Sequence, residues 1–355
     1  MLRILAQNIV MTQTRYEPAL DGIRAIAVIA VMLFHAYSWR FGGGWIGVDV
    51  FFVLSGYLIT RLLRGELAAS DKIALGPFYR RRFLRLTPPF LAMLVFVFLA
   101  MSVIPGEINS RWSVAVAASY LMNWAILIQG LPVFPLGHTW SLAAEEQFYL
   151  LWPVGLFAIR RKPLPWVLLG IVAVSAWKYY LFAHGASWDR IYLGFDTRST
   201  PILVGCVIGL IDLSNHAKSV LNYFWPVAVI ALCAVAYAAT GQNPVTLLWA
   251  PDVTALATAI IIVASTKGFL NRILIAKPLV FTGKISYGLY LWHLPLLYLI
   301  HQVWRQHYQP LFPLMLSYGF ATASYFTIEA KSRQYKKIYE ATRRSCVQIP
   351  EGIGL

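Results

Sequence analysis

Eleven apolar runs divide this chain, near residues 23–40, 46–62, 86–104, 113–131, 139–159, 164–183, 199–214, 219–240, 247–265, 280–300 and 309–330. Most approach the ~20 residues a helix needs to cross the hydrocarbon core of a bilayer. A chain patterned this way must bury its backbone polar groups in helices, because lipid offers them no hydrogen-bond partner. The charge content agrees. Only 13% of the 355 residues are charged and 59% are hydrophobic, where a soluble domain carries roughly 25% charged residues.

Which runs cross is settled by the basic residues. The formal net charge is +15, but the lysines and arginines fall in short tracts between apolar runs, so nucleic acid is not an expected partner. Such tracts hold cytoplasmic loops against anionic lipid. If residues 113–131 dip in without crossing and the N-terminus is cytoplasmic, only Arg40, Arg111, Lys178, Arg190, Arg198 and Arg305 of the 30 lysines and arginines lie outside. If that run crosses, every later loop flips and the excess disappears. Ser113, Ser119, Asn123 and Gln129 also suit a buried or re-entrant segment. The expected fold is therefore all-α: a polytopic transmembrane helix bundle of about ten spans plus one re-entrant or buried helix.

Both termini are expected in the cytoplasm, with a short leading segment at 1–22 and a basic tail at 331–355. One integral membrane domain is expected over 1–355, with no appended soluble domain and no removable signal. Cys206 and Cys233 lie in apolar runs and Cys346 in the basic tail, with no CxxC pattern. Neither a metal site nor a disulfide framework is expected.

Ionisable groups within apolar runs are costly to bury and mark function by default. In "RAIAVIAVMLFHA", Arg24 and His35 stand eleven positions apart with nothing polar between them, ~16 Å along a helix. The next run, "GVDVFFVLSGYLIT", holds Asp49 and Ser55, and Asp49 is placed to meet His35 and fix its tautomer. "FGGGW" between them reads as a tight, permissive turn. In "FYRRRFLRLTPP", Arg80, Arg81, Arg82 and Arg85 exceed what orientation requires, and paired guanidinium groups suit phosphate. "HTWSLAAEEQFYLLWP" offers Glu145 and Glu146, which point to different helix faces, so at most one faces a given site. "GKISYGLYLWHLP" sets His293 among Tyr290 and Trp292. Each of these residues also has a plain structural reading, as an interhelical hydrogen bond, a topology signal or an interfacial anchor.

Taken in order, "ALDGIRAIAVIAVMLFHA", "GGWIGVDVFFVLSGYLIT", "FYRRRFLRLTP", "TWSLAAEEQFYLLWP", "FDTRSTPILVG" and "GKISYGLYLWHLP" resemble the acyltransferase-3 family of integral membrane O-acyltransferases. The resemblance spans nearly the whole chain. It implies transfer of an acyl group, acetyl foremost, from cytoplasmic acyl-coenzyme A to a sugar hydroxyl. The expected acceptor is a surface polysaccharide, lipopolysaccharide or lipid-linked glycan, and the expected location is the bacterial inner membrane, in contact with its lipid.

By that resemblance Arg24 and His35 match the family's arginine–histidine motif and Arg82 and Arg85 its cytoplasmic pair. Glu145 and Glu146 match its paired glutamates, and His293 its late histidine. His35, Asp49, Glu145, Glu146 and His293 are then the catalytic candidates, and Arg24, Arg80, Arg81, Arg82 and Arg85 the donor-binding ones. No bound cofactor is needed, since the donor brings its own activated thioester. One departure stands out: the family's last span often closes on Glu-basic-Pro, and here Glu329 is followed by Ala330 and Lys331. The competing class is a transporter that uses the buried His, Asp and Glu as a proton relay. Oligomeric state is not legible in the sequence.

Overall fold

The computed structural model describes residues 16–103, 111–129, 135–240, 243–304 and 309–335, without the side chain of Arg111. Residues 1–15, Arg305, and the tail beyond residue 335 with Cys346 lie outside the described residues. All regular structure among the described residues is helical. In chain order the helices are α1 (Pro18–Ala36), α2 (Ile46–Ser70), α3 (Leu75–Val103), α4 (Arg111–Ala118), α5 (Met122–Gln129), α6 (Trp140–Ala158) and α7 (Pro163–Ala183). There follow α8 (Trp188–Leu193), α9 (Phe195–Arg198), α10 (Thr200–Leu210), α11 (Asn215–Tyr223), α12 (Trp225–Ala238) and α13 (Pro244–Ala264). The last are α14 (Gly268–Leu274), α15 (Lys277–Lys284), α16 (Ser286–Val303) and α17 (Leu311–Ser324).

Proline opens several of these helices (Pro18, Pro163, Pro244), where its missing N–H costs nothing. The side chain of Asn243 caps α13 by accepting from the Val245 amide, and α2 stops on Asp71 in the left-handed region, at φ 49°. Helix α17 runs on through a π turn, Tyr325–Glu329, as far as Tyr335. Lys331 stands where the family pattern often has proline, so the backbone amide is kept and the helix continues.

Among the described residues, six helices are long and apolar enough to cross a membrane: α1, α2, α3, α7, α13 and α17 with its extension. A seventh appears if α11 and α12, bent by 49° at their junction, count together. This falls short of the expected ten, for physical reasons. Helices α6 and α16 have 19 and 18 residues but are less apolar, because they carry Glu145, Glu146, Gln147 and His293. Helix α10 has 11 residues, a rise of ~16 Å against a core of ~30 Å.

The run 113–131 is not one helix. It breaks at Tyr120, whose φ is 55°, into α4 and α5 of 8 residues each, too short to cross singly at ~12 Å. Fully buried Asn123 exchanges side-chain hydrogen bonds with Gln147 at 3.3 and 3.1 Å, which fastens α5 to α6.

Glycine sets the closest helix approach. Gly56 on α2 lies against the Ile202 carbonyl of α10, and Gly205 on α10 against the Val53 carbonyl of α2. A Cβ at either would fall inside the neighbour's backbone. The glycines of "FGGGW" have the same use: none takes a positive φ, and Gly43 and Gly44 abut the carbonyls of Ala236 and Ala30. They are needed for close approach, not for the permissive turn the sequence suggested.

Candidate active site

Helices α1, α2, α3, α6 and α16 line a cavity of ≈ 560 Å³. Along α2 it extends from Arg61 back to Val48, ~20 Å. The start of α1, the end of α2 and the start of α3 meet at one end, and they bring Arg24, Arg61, Arg81, Arg82 and Arg85 there. Arg24 pairs with Asp21 at 2.9 Å, Arg61 with Glu17 at 2.7 Å and Arg81 with Glu66 at 2.8 Å. No carboxylate among the described residues pairs with Arg82 or Arg85. The Arg82 guanidinium lies over the rings of Tyr149 (5.2 Å) and Phe78 (5.9 Å). The five arginines face only three lining carboxylates, Glu17, Asp21 and Glu145, so this end of the cavity attracts anions.

The middle of the cavity is a polar stripe on otherwise apolar helices. Ser141, Glu145 and Tyr149 follow at intervals of four on α6, hence on one face, and all three line the cavity. Across from them, Ser55 of α2 donates to Glu145 Oε1 at 2.7 Å and lies 3.1 Å from the Tyr149 hydroxyl. Tyr149 also donates to Glu145 Oε2 at 3.3 Å. Of the two adjacent glutamates only Glu145 lines the cavity; Glu146 is on the neighbouring face, towards Tyr120.

The far end closes on Tyr290, whose hydroxyl meets Ser141 Oγ at 2.5 Å and donates to the His138 carbonyl at 3.0 Å. Next to Tyr290 lie three imidazoles. The His293 ring is 5.5 Å from Tyr290, 5.0 Å from His35 and 5.2 Å from His138, centre to centre. The eleven-residue spacing of Arg24 and His35 is just over three helical turns. It puts both on one face of α1, with Arg24 at the arginine end and His35 at the histidine end.

Hydrogen bonds assign the tautomers. His293 Nδ1 lies 2.7 Å from the Tyr290 carbonyl and 3.2 Å from that of Leu289. Carbonyls only accept, so Nδ1 carries the proton and Nε2 of the neutral ring is bare. His35 Nδ1 lies 3.0 Å from the Val31 carbonyl and 3.1 Å from His293 Nε2. It therefore donates to both, and His35 Nε2 keeps a lone pair with no partner among the described residues. His138 is 3% exposed; the Tyr290 and Leu291 backbones lie near its ring, but neither nitrogen makes a hydrogen bond of ordinary geometry. Among the described residues no group of three His, Cys, Asp or Glu side chains is arranged to hold a metal ion.

Asp49 does not meet His35, contrary to the expectation from their adjacent runs. Its carboxylate lies 2.8 Å from Arg198 Nη2, with the two side chains 0% and 1% exposed. Arg198 is itself boxed by the rings of Trp45, Tyr192 and Trp140. Asp49 also falls outside the cavity lining, as do Glu146, Arg80, His35 and His293, the two histidines lying just beyond Tyr290. Ser55, Tyr149, Ser141, Arg61 and His138 are in or beside the site, and sequence reasoning assigns them no roles. The available signals were the four-residue spacing on α6 and the position of His138 directly before "TWSLAAEE".

The family model described as an acyltransferase domain matches residues 17–328. The peptidoglycan O-acetyltransferase OatA of Listeria monocytogenes is 35% identical over 311 residues, 80% of this chain and 50% of that protein. The O-acetyltransferase OatA of Staphylococcus aureus is 33% identical over 351 residues, 91% of this chain and 58% of its own length. The chain thus spans about half the length of the curated relatives it matches. No solved structure matches it. With the match running from before Arg24 to beyond His293, the chain belongs to the acyltransferase-3 family.

Proposed function

We propose that this membrane protein is an O-acetyltransferase that takes its acyl group from acyl-coenzyme A and places it on a hydroxyl of a bacterial surface glycan. One observation carries the reading: Arg82 and Arg85, without carboxylate partners, open on the same cavity that leads past Glu145 to Tyr290, behind which the His35–His293 pair lies. Coenzyme A has phosphates at one end and a thioester at the end of a long flexible arm. The cavity presents its cations and its proton-handling groups in that order. The Listeria and Staphylococcus relatives bear the name O-acetyltransferase, the former as a peptidoglycan O-acetyltransferase. That supports acetyl as the group and a cell-wall glycan as the acceptor class.

In this reading Arg24, Arg82 and Arg85 hold the donor phosphates from the cytoplasmic side of the inner membrane. A sugar hydroxyl is a poor nucleophile at neutral pH, and it attacks faster when a base removes its proton as the bond forms. His35 Nε2, with its lone pair free, is that base. His293 fixes the tautomer and the ring orientation.

The test is release of coenzyme A thiol from acetyl-coenzyme A by the purified protein in nanodiscs, together with mass spectrometry of envelope glycans. Glycans from a strain lacking the gene should lack an O-acetyl group that wild-type protein restores and His35→Ala does not. Unchanged glycans with no thiol release would overturn the reading and favour transport.

A further inference from the structure

We infer that Ser55 is a nucleophile that carries the acyl group as an ester between donor and acceptor. The inference rests on the acyl-coenzyme A reading above and goes beyond it. Four observations carry it. Ser55 lines the cavity, so it is open to whatever enters between the arginines. Its hydroxyl is directed at a carboxylate 2.7 Å away, within the reach a general base needs to activate a serine. Glu145 is in turn held by the Tyr149 hydroxyl at 3.3 Å, giving a nucleophile, a base and a group that orients the base.

The fourth observation is where the hydroxyl does not go. In helices α3 and α17 and its extension, Ser102, Ser317 and Thr327 return their hydroxyls to carbonyls four residues earlier, those of Phe98, Pro313 and Ala323. That is the default for a hydroxyl in an apolar helix. Ser55 instead reaches across the cavity to another helix. The backbone beneath it is fixed, because Gly56 is locked against α10, so Oγ is presented from a rigid platform. Arg82 and Arg24 both act electrostatically on Glu145. Arg82, over the Tyr149 ring at 5.2 Å in the same cavity, supplies the positive charge that favours the oxygen turning anionic during attack.

The chemistry balances with the groups present. Ser55 Oγ attacks the thioester carbonyl while its proton passes to Glu145. The carbon–sulfur bond breaks, and coenzyme A leaves as the thiolate and takes the proton from Glu145, so an ester remains on Ser55. The acceptor hydroxyl then attacks that ester and the carbon–Oγ bond breaks. The acceptor's proton, taken first by His35, replaces the one Ser55 lost.

A covalent intermediate makes the donor half-reaction reversible without acceptor. The purified full chain in nanodiscs, given acetyl-coenzyme A and isotopically labelled free coenzyme A, should move label into acetyl-coenzyme A. The denatured protein should carry an acetyl mass on the peptide containing Ser55. Ser55→Ala should bring exchange to background and lose the adduct while binding coenzyme A like wild type by calorimetry. Ser55→Cys should give a thioester adduct cleaved by neutral hydroxylamine, and His35→Ala should keep exchange while losing transfer to acceptor.

Exchange persisting in Ser55→Ala overturns the inference. So does a wild-type protein that turns over acetyl-coenzyme A with neither exchange nor adduct, which would mean direct transfer. A wild-type protein that does not bind acetyl-coenzyme A at all overturns the donor reading itself, and the inference with it.

Discussion

Asp49 and Arg198 form an ion pair at 2.8 Å in a place where neither side chain is more than 1% exposed. The contact lacks hydrogen-bond geometry, so it is held by charge and by the surrounding aromatic rings. Removing one member strands the other in a dry site, which typically costs about 3–5 kcal/mol, whereas removing both is often nearly neutral. Asp49→Asn or Arg198→Met should therefore lower the melting temperature in detergent markedly. The double variant Asp49→Asn/Arg198→Met should recover most of that loss. A double variant as unstable as the sum of the two singles would show that the residues act separately.

His293 should act on the reaction through His35. Losing the base itself should cost ~10²–10⁴-fold in rate, so His35→Ala should abolish measurable transfer with donor affinity intact. His293→Ala removes one of the two acceptors for the His35 Nδ1–H and leaves the Val31 carbonyl. It should lower kcat with KM for acetyl-coenzyme A unchanged. His293→Gln can place a carbonyl oxygen near the former Nε2 and should restore part of that loss. If the glutamine and alanine variants had equal kcat, His293 would be packing alone.

Much of this site can be read along the chain, and what cannot is the long-range pairing. Arg24 and His35 share a helix, and their spacing alone aligns them. The stripe Ser141, Glu145, Tyr149 is equally local. By contrast, the meeting of His35 with His293 spans 258 residues. The partner of Asp49 sits in α9, which with α8 forms a pair of short helices that no hydropathy pattern marks. The sequence pairs Asp49 with His35 because the second run enters from the outer side and brings Asp49 to a similar depth, and proximity in sequence is the only guide. Length and apolarity alone do not confirm ten spans for a related reason: α6 and α16 give up apolarity to carry the polar groups of the site.

Donor binding should separate the arginines by their partners. Charge-assisted bonds to phosphate contribute about 1.5–3 kcal/mol each, or ~10- to 150-fold in affinity. Arg82→Ala and Arg85→Ala should each weaken acetyl-coenzyme A binding by such a factor, measured by calorimetry. Lysine should rescue only partly, for want of the planar fork. Arg81→Ala should matter far less, because Glu66 already occupies that guanidinium at 2.8 Å. Equal losses at all three positions would mean a diffuse basic surface instead of a phosphate site.

Orientation is tested with reporter fusions. Fusions at residues 72, 162 and 270 should read cytoplasmic, and one at 188 external, as the distribution of lysine and arginine requires. An external reading at 162 with a cytoplasmic one at 188 would mean that α4 and α5 together cross the bilayer.

The rigidity under Ser55 can be tested with two glycines of the same helix. At Gly56 an added methyl would meet the backbone carbonyl of Ile202, which cannot rotate away as a side chain can, while at Gly65 nothing lies within 4 Å. Overpacking of this kind costs about 1–3 kcal/mol. An unhindered Gly→Ala change inside a helix instead gains roughly 0.5–1 kcal/mol. Gly56→Ala should thus lower the melting temperature and, by pushing α2 off α10, move Ser55 away from Glu145 and depress turnover. Gly65→Ala should melt at or above wild type with full activity. Gly56→Ala and Gly205→Ala act on one crossing, so their combined effect should fall short of the sum. A Gly56→Ala protein as stable and active as wild type would show that the helices separate freely, and that Ser55 is not held where the structure puts it.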